Sequence, residues 1–170
     1  MQKFKIILIT IISIFFTLNA KIDPTDTNHT IITTINGKKI EVNKINKGFI
    51  FDKFKGKIVL LEVYGDSCPH CLRAIPFYNK LQNRYKKDIV IIALESYGSL
   101  NNANRQKYIT IPKSKSGKMF KFIKDLTGYN LQMVPYLMIF DKNGKIIYNK
   151  MLFDLDKEKF KIEDLIKRHL

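Results

Sequence analysis

Ile58-Val59-Leu60-Leu61-Glu62-Val63-Tyr64-Gly65-Asp66-Ser67-Cys68-Pro69-His70-Cys71 is the stretch from which the rest of the chain can be read. Ile58 to Tyr64 is a nearly continuous apolar run with β-branched residues, the pattern of a strand buried on both faces of a sheet. Beyond the cysteines the period changes. Ala74, Phe77, Tyr78, Leu81 and Tyr85 recur at helical spacing on one face, and Pro76 within that helix is expected to kink it. Ile89 to Leu94 is a second buried strand, so strand, helix and strand form a βαβ unit with parallel pairing.

Upstream, Ile31 to Ile35 and Lys38 to Val42 flank Asn36-Gly37, the preferred two-residue hairpin turn. Residues 43–56 read as irregular. Downstream, residues 95–114 are polar, with room for a short helix over 99–108. Met119, Phe122, Ile123 and Leu126 form a helix face stopped at Gly128. Pro135 opens the strand Tyr136 to Phe140, which Asp141 to Gly144 turns into an antiparallel partner, Lys145 to Met151. Ile162, Leu165, Ile166 and His169 give a last helix one apolar edge. This order describes one α/β domain over residues 31–170, a central mixed β-sheet flanked by helices on both faces, with an N-terminal β-hairpin.

A length of 170 residues suits one domain plus a targeting segment. Lys3 and Lys5 precede the uncharged run Ile6 to Leu18, and Leu18-Asn19-Ala20 ends it on a small residue. That is the layout of a secretory signal peptide over residues 1–20, cleaved after Ala20. As a helix the apolar run would measure roughly 20 Å, short of the ~30 Å hydrocarbon core. Leu18 is large for a cleavage site, so an uncleaved inner-membrane anchor is the alternative. Residues 21–30 read as a flexible polar segment. The net charge of +15 comes from lysines spread along the chain, without a Lys/Arg run longer than two. A solvated basic surface is expected rather than a nucleic-acid site.

Both cysteines of the chain belong to one C-x-x-C. A bridge across so short a loop stabilises little, and small exported domains use more and longer staples. The pair therefore points to chemistry. Thiol–disulfide exchange needs an attacking thiolate and a second thiol close enough to resolve the mixed disulfide. With Cys68 at a helix N-cap and Pro69 at the first helical position, the free amides of His70 and Cys71 point towards the Cys68 sulfur, where the helix dipole favours negative charge. Cys68 is then the nucleophile and Cys71 the shielded resolving thiol. The His70 imidazole is placed to donate to, or pair with, the thiolate, which would favour the reduced form; the alternative is an inert exposed ring. Asp66 would oppose that effect if it pointed inward, and is expected to be solvated.

Glu62 is the one charge in its strand and should lie beneath the cysteines. Burial raises the pKa of a carboxyl, and an acid so poised can shuttle a proton to or from Cys71. The alternatives are a sheet-edge position in solvent or a lysine partner. Pro135, at the start of a strand, is ordinarily a sheet-edge residue, and nothing in the residues alone assigns it a cis bond. No cofactor is expected. A reading of another class is Cu(I) binding by Cys68, His70 and Cys71, since soft thiolates suit that ion. No Met cluster or further Cys or His lies near, and His29 and His169 stand at opposite ends of the chain.

Residues 54–71, together with Met133-Val134-Pro135-Tyr136-Leu137-Met138-Ile139-Phe140-Asp141-Lys142-Asn143-Gly144, resemble the thioredoxin superfamily, and within it the periplasmic TlpA/ResA-like thioredoxins. The likeness runs from about Asn36 to the C-terminus. It implies a thioredoxin fold and a periplasmic thiol–disulfide oxidoreductase acting on protein thiols or disulfides, with a membrane redox partner. It also implies a cis Pro135 facing the cysteines, with Val134, Pro135 and Pro69 lining the substrate groove. Glu62 matches the family's buried acid, and Pro76 its kinking proline. Two features depart from the pattern. Ser67 stands where thioredoxins carry tryptophan, a residue this chain lacks. Pro69-His70, and Val134 before Pro135, are similar to the DsbA oxidases, whose large helical insertion is absent here. A stabilised reduced form makes DsbA oxidising, so an oxidant is the favoured expectation; the alternative is a ResA-like reductase, for example in cytochrome c maturation.

Overall fold

The computed structural model describes residues 27–129 and 133–170, so the expected signal peptide and most of the 21–30 segment lie outside the described residues. Among the described residues no helix is long and apolar enough to cross a membrane. The first three strands, β1 (His29–Thr33), β2 (Lys39–Ile45) and β3 (Gly48–Phe51), form an antiparallel sheet in that order. The turn between β1 and β2 differs from the expected two-residue loop. The Thr34 N–H donates to the Lys38 carbonyl at 2.9 Å, and the Gly37 N–H reaches back to the Thr34 carbonyl at 2.9 Å. Ile35-Asn36-Gly37 is thus a three-residue loop, with Gly37 supplying the left-handed position at φ 77°. Residues 43–56, read as irregular, hold the end of β2, all of β3 and a 3-10 turn at Asp52–Phe54. Asn43 and Gly48 are poor strand formers; cross-strand pairing and the burial of Phe49 and Phe51 override them.

The central sheet has β4 (Ile58–Gly65) in the middle, with β5 (Ile89–Tyr97), β6 (Ile109–Ile111), β7 (Tyr136–Phe140) and β8 (Ile146–Met151) in the order β6-β5-β4-β7-β8. The pairs β4–β5 and β5–β6 are parallel, whereas β4–β7 and β7–β8 are antiparallel. Helix α1 (Pro69–Arg84) joins β4 to β5, α2 (Met119–Thr127) precedes β7, and α3 (Leu155–His169) closes the chain. The expected helix over 99–108 shrinks to a 3-10 turn at Ala103–Arg105, and β6 follows it.

Every residue of β4 is buried. Ile58 and Leu60 pack on Ala74, Tyr78 and Leu81 of α1 and on Ile162 and Ile166 of α3. On the other face Val59, Leu61 and Val63 meet Ile40, Phe49 and Phe51 of the N-terminal sheet and Met119, Phe122 and Ile123 of α2. Each fully buried aliphatic side chain contributes about 1.5–3 kcal/mol, so β4 anchors both cores. The expected mixed sheet with helices on both faces is the one that forms. Its register brings Val63 opposite Tyr136, so the loop after β4 and the segment before β7 meet at one end of the sheet.

Candidate active site

The Cys68 sulfur sits where those two loops meet. Cys68 caps α1 with extended backbone, φ −76° and ψ 117°, and Pro69 follows at the first helical turn. Its Sγ accepts the Cys71 N–H at 3.2 Å and donates to the Val134 carbonyl at 3.9 Å. The Cys68 N–H in turn donates to the Gly65 carbonyl at 3.0 Å. Both cysteines are free thiols, 6% and 2% exposed respectively. Pro69 is exposed beside them. The Val134–Pro135 bond is cis, and the Pro135 carbonyl accepts the Leu152 N–H at 2.9 Å. Cys68, Pro69, Cys71, Val134 and Pro135 are therefore gathered at one edge of the fold. A sulfur at a helix N-cap that receives an amide N–H is well placed to carry negative charge.

Glu62 lies beneath, on the central strand, 1% exposed. Its Oε1 has no hydrogen-bond partner among the described residues. Burial alone pushes its carboxyl well above the usual carboxylate range. Cys71 is shifted upward too, first by burial, then by its hydrogen bond with the Cys68 thiol, with the Glu62 charge adding a smaller push. Two groups that both disfavour charge thus adjoin, which suits the passing of one proton between them.

His70 does not follow the expectation of pairing with a thiolate. Its Nδ1 lies 2.8 Å from the Arg73 guanidinium. A guanidinium cannot accept a hydrogen bond, so Nδ1 accepts and the ring carries its proton on Nε2. The ring also meets Phe153 edge-on at 6.1 Å. The spacing of His70 and Arg73, three apart on one helix, is a signal the sequence carries.

Asp66 departs further from expectation. Instead of being solvated it is 3% exposed, and it accepts the Asn101 N–H at 2.8 Å and the Asn102 N–H at 2.9 Å. It clasps the loop after β5 against the cysteine loop. Tyr97, which sequence reasoning passed over, ends β5 opposite Gly65. A Cβ on Gly65 would stand 2.1 Å from the Tyr97 Cζ, so a larger residue there would push the exposed Tyr97 ring aside. Asp66 carried no local signal; Gly65, between strand and motif, carried one.

Residues 56–146 match the Thioredoxin-like family. The thiol-disulfide oxidoreductase ResA of Bacillus thuringiensis subsp. konkukian is 32% identical over 123 residues, which are 69% of this chain and 62% of that protein. This chain therefore spans less than two thirds of that relative's length. ResA of Bacillus cereus is 30% identical over 132 residues, 75% of this chain and 68% of its own. The thioredoxin domain of a thiol-disulfide oxidoreductase from Bacteroides vulgatus shares the fold, with a TM-score of 0.60 at 16% identity, covering 81% of this chain and 93% of that one. The sheet order, the flanking helices and a family match over more than half of its length agree: this chain belongs to the thioredoxin-like family.

Proposed function

We propose that the chain is an extracytoplasmic thiol–disulfide oxidoreductase that exchanges disulfides with protein substrates through Cys68 and Cys71. The observation that carries this reading is the Cys68 sulfur, held at a helix N-cap by the Cys71 amide and facing the Val134 carbonyl. In the reducing direction the Cys68 thiolate attacks a substrate disulfide, forming a Cys68–substrate bond and expelling one substrate thiolate. Glu62, once it has released its own proton, takes the proton of Cys71 as Cys71 attacks Cys68; the Cys68–Cys71 disulfide forms and the second substrate thiolate leaves. Val134, Pro135 and Pro69 border the space where the substrate chain would lie. The ResA relatives support this activity, and the expected signal segment supports export with a membrane redox partner.

The direction of exchange divides two readings. An oxidant draws its force from a stabilised Cys68 thiolate, for which His70 was the candidate support. With the His70 Nδ1 turned to Arg73, that support is withdrawn and the reducing direction is favoured. Cu(I) binding finds no support of this kind, for among the described residues no group of three His, Cys, Asp or Glu is placed to hold a metal.

The test of the exchange reaction is a pair of variants. Cys68→Ser abolishes it, whereas Cys71→Ser accumulates mixed disulfides through Cys68, visible as slower bands on non-reducing gels. If Cys71→Ser traps no substrate under any redox condition, the resolving role is wrong. Equilibration with glutathione reads the direction: a potential near or below about −270 mV supports the reductase, and one near about −120 mV the oxidant.

A further inference from the structure

If Glu62 exchanges a proton with Cys71 as proposed above, that proton needs a path, because Glu62 has no face to solvent and a docked substrate covers the cysteine edge. The α1 side of the sheet holds polar groups that the exchange reaction does not otherwise use. Pairing aligns Glu62 with Ala93 of β5 and Thr110 of β6 in one row, and the small Ala93 side chain leaves the row open at its middle. Tyr108, two residues before Thr110, lies on the same side, and its ring meets that of Tyr78 from α1 edge-on at 5.9 Å.

The hydroxyls of Tyr78 and Tyr108 are both buried without a partner among the described residues, as is the Glu62 Oε1. Leaving a buried hydroxyl unpaired forfeits the hydration it had in water, so two beside one unpaired carboxyl call for an explanation. Both phenols are shifted upward by burial first and by the Glu62 charge second, which puts each within electrostatic reach of that carboxyl. Among the described residues Cys71 and Tyr64 also feel the Glu62 charge, and no cation offsets the burial of that carboxyl. Outward, Tyr108 and Gln106 line a cavity of about 480 Å³ between the β1–β2 turn and β6, which Lys38 and Lys53 also border.

We propose that Tyr78 and Tyr108 form a proton route from Glu62 to this cavity, whose lining includes no residue of the cysteine motif or of the Val134–Pro135 segment. A phenol accepts a hydrogen bond while donating another, and water can bridge polar gaps with enough room, so protons pass without either ring changing its redox state. Before the Cys68–Cys71 disulfide closes, Glu62 releases the proton it holds through the phenols, and the carboxylate so formed takes the proton of Cys71 as that thiol attacks Cys68. When a substrate thiolate attacks Cys68 and opens that disulfide, the electron pair leaves on Cys71, Glu62 protonates it, and the route refills Glu62.

The reduced full chain treated with 5,5′-dithiobis(2-nitrobenzoate) releases one coloured thiolate as Cys68 attacks and a second as Cys71 resolves. Glu62→Gln should slow the second release about 100-fold, and Tyr108→Phe and Tyr78→Phe at least about fivefold, all with the first release unchanged. The two phenylalanine variants should also show a larger solvent-deuterium effect on that step. A normal second release in both of them, while Glu62→Gln is slow, overturns the route and leaves the role of Glu62 standing. A normal second release in Glu62→Gln removes that role, and the route with it. If the phenylalanine variants slow both releases together and lower the thermal midpoint, the hydroxyls are structural and the route is wrong.

Discussion

Glu62→Gln should make the reduced protein more stable, by an amount that grows with pH. Glu62 is fully buried, and burial is the one cause of its raised carboxyl pKa. A raised folded-state pKa means the folded chain holds a proton that the unfolded chain releases. That contribution is complete below the ordinary value of 4.5 and is lost as pH rises through the folded value. Between those limits stability falls by about 1.4 kcal/mol per pH unit from this group alone. Glutamine keeps the shape and removes the titration, so its advantage should widen by about that amount per unit. The window from pH 5 to 8 isolates the effect, because Cys71 moves upward from 9.0 and the buried tyrosines upward from 10.0. Histidines are common to both proteins and cancel in the difference. Urea titrations in excess dithiothreitol at four pH values, comparing wild type with Glu62→Gln, measure it. A difference that stays constant across the window would refute the reasoning, since it would mean that Glu62 is solvated or paired in the folded state.

Two other substitutions bear on the site. Asp66→Ala leaves the Asn101 and Asn102 amides without their acceptor and should cost about 2 kcal/mol in urea unfolding, with faster hydrogen exchange at both amides; unchanged exchange there would show that the clasp is not formed in solution. His70→Ala should shift the Cys68–Cys71 potential by less than about 15 mV, whereas losing a charge-assisted bond to a thiolate would lower it by about 30–60 mV; a drop of that size, measured against glutathione, would return His70 to the sulfur.

The parts of the fold legible in advance are those with enough residues to show a period. β4 and α1 announced themselves by a long buried run and a helical stripe, and the N-cap position of Cys68 followed from Pro69. β3 and β6, at four and three residues, are too short for alternation to register; they exist because longer neighbours offer them pairing. The placement of Pro135 came from resemblance, for no local pattern joins it to a motif so far away in sequence. Asp66 was misjudged for a similar reason. Gly65-Asp66-Ser67 reads locally as a solvated turn, and the amides that bury its carboxylate come from 35 and 36 residues further on.

The loop between β1 and β2 does more than turn the chain. Its Ile35 N–H donates to the Thr110 carbonyl at 3.1 Å, and β6 is the outermost strand of its sheet. Outer strands offer unpaired backbone groups onto which a second molecule can zip, the first step of much intermolecular β-aggregation. Here the chain's own hairpin tip holds one of those groups. Colloidal behaviour at that edge is therefore coupled to whether the N-terminal sheet is docked. A molecule in which β1 and β2 have lifted away would be open to its neighbours along β6.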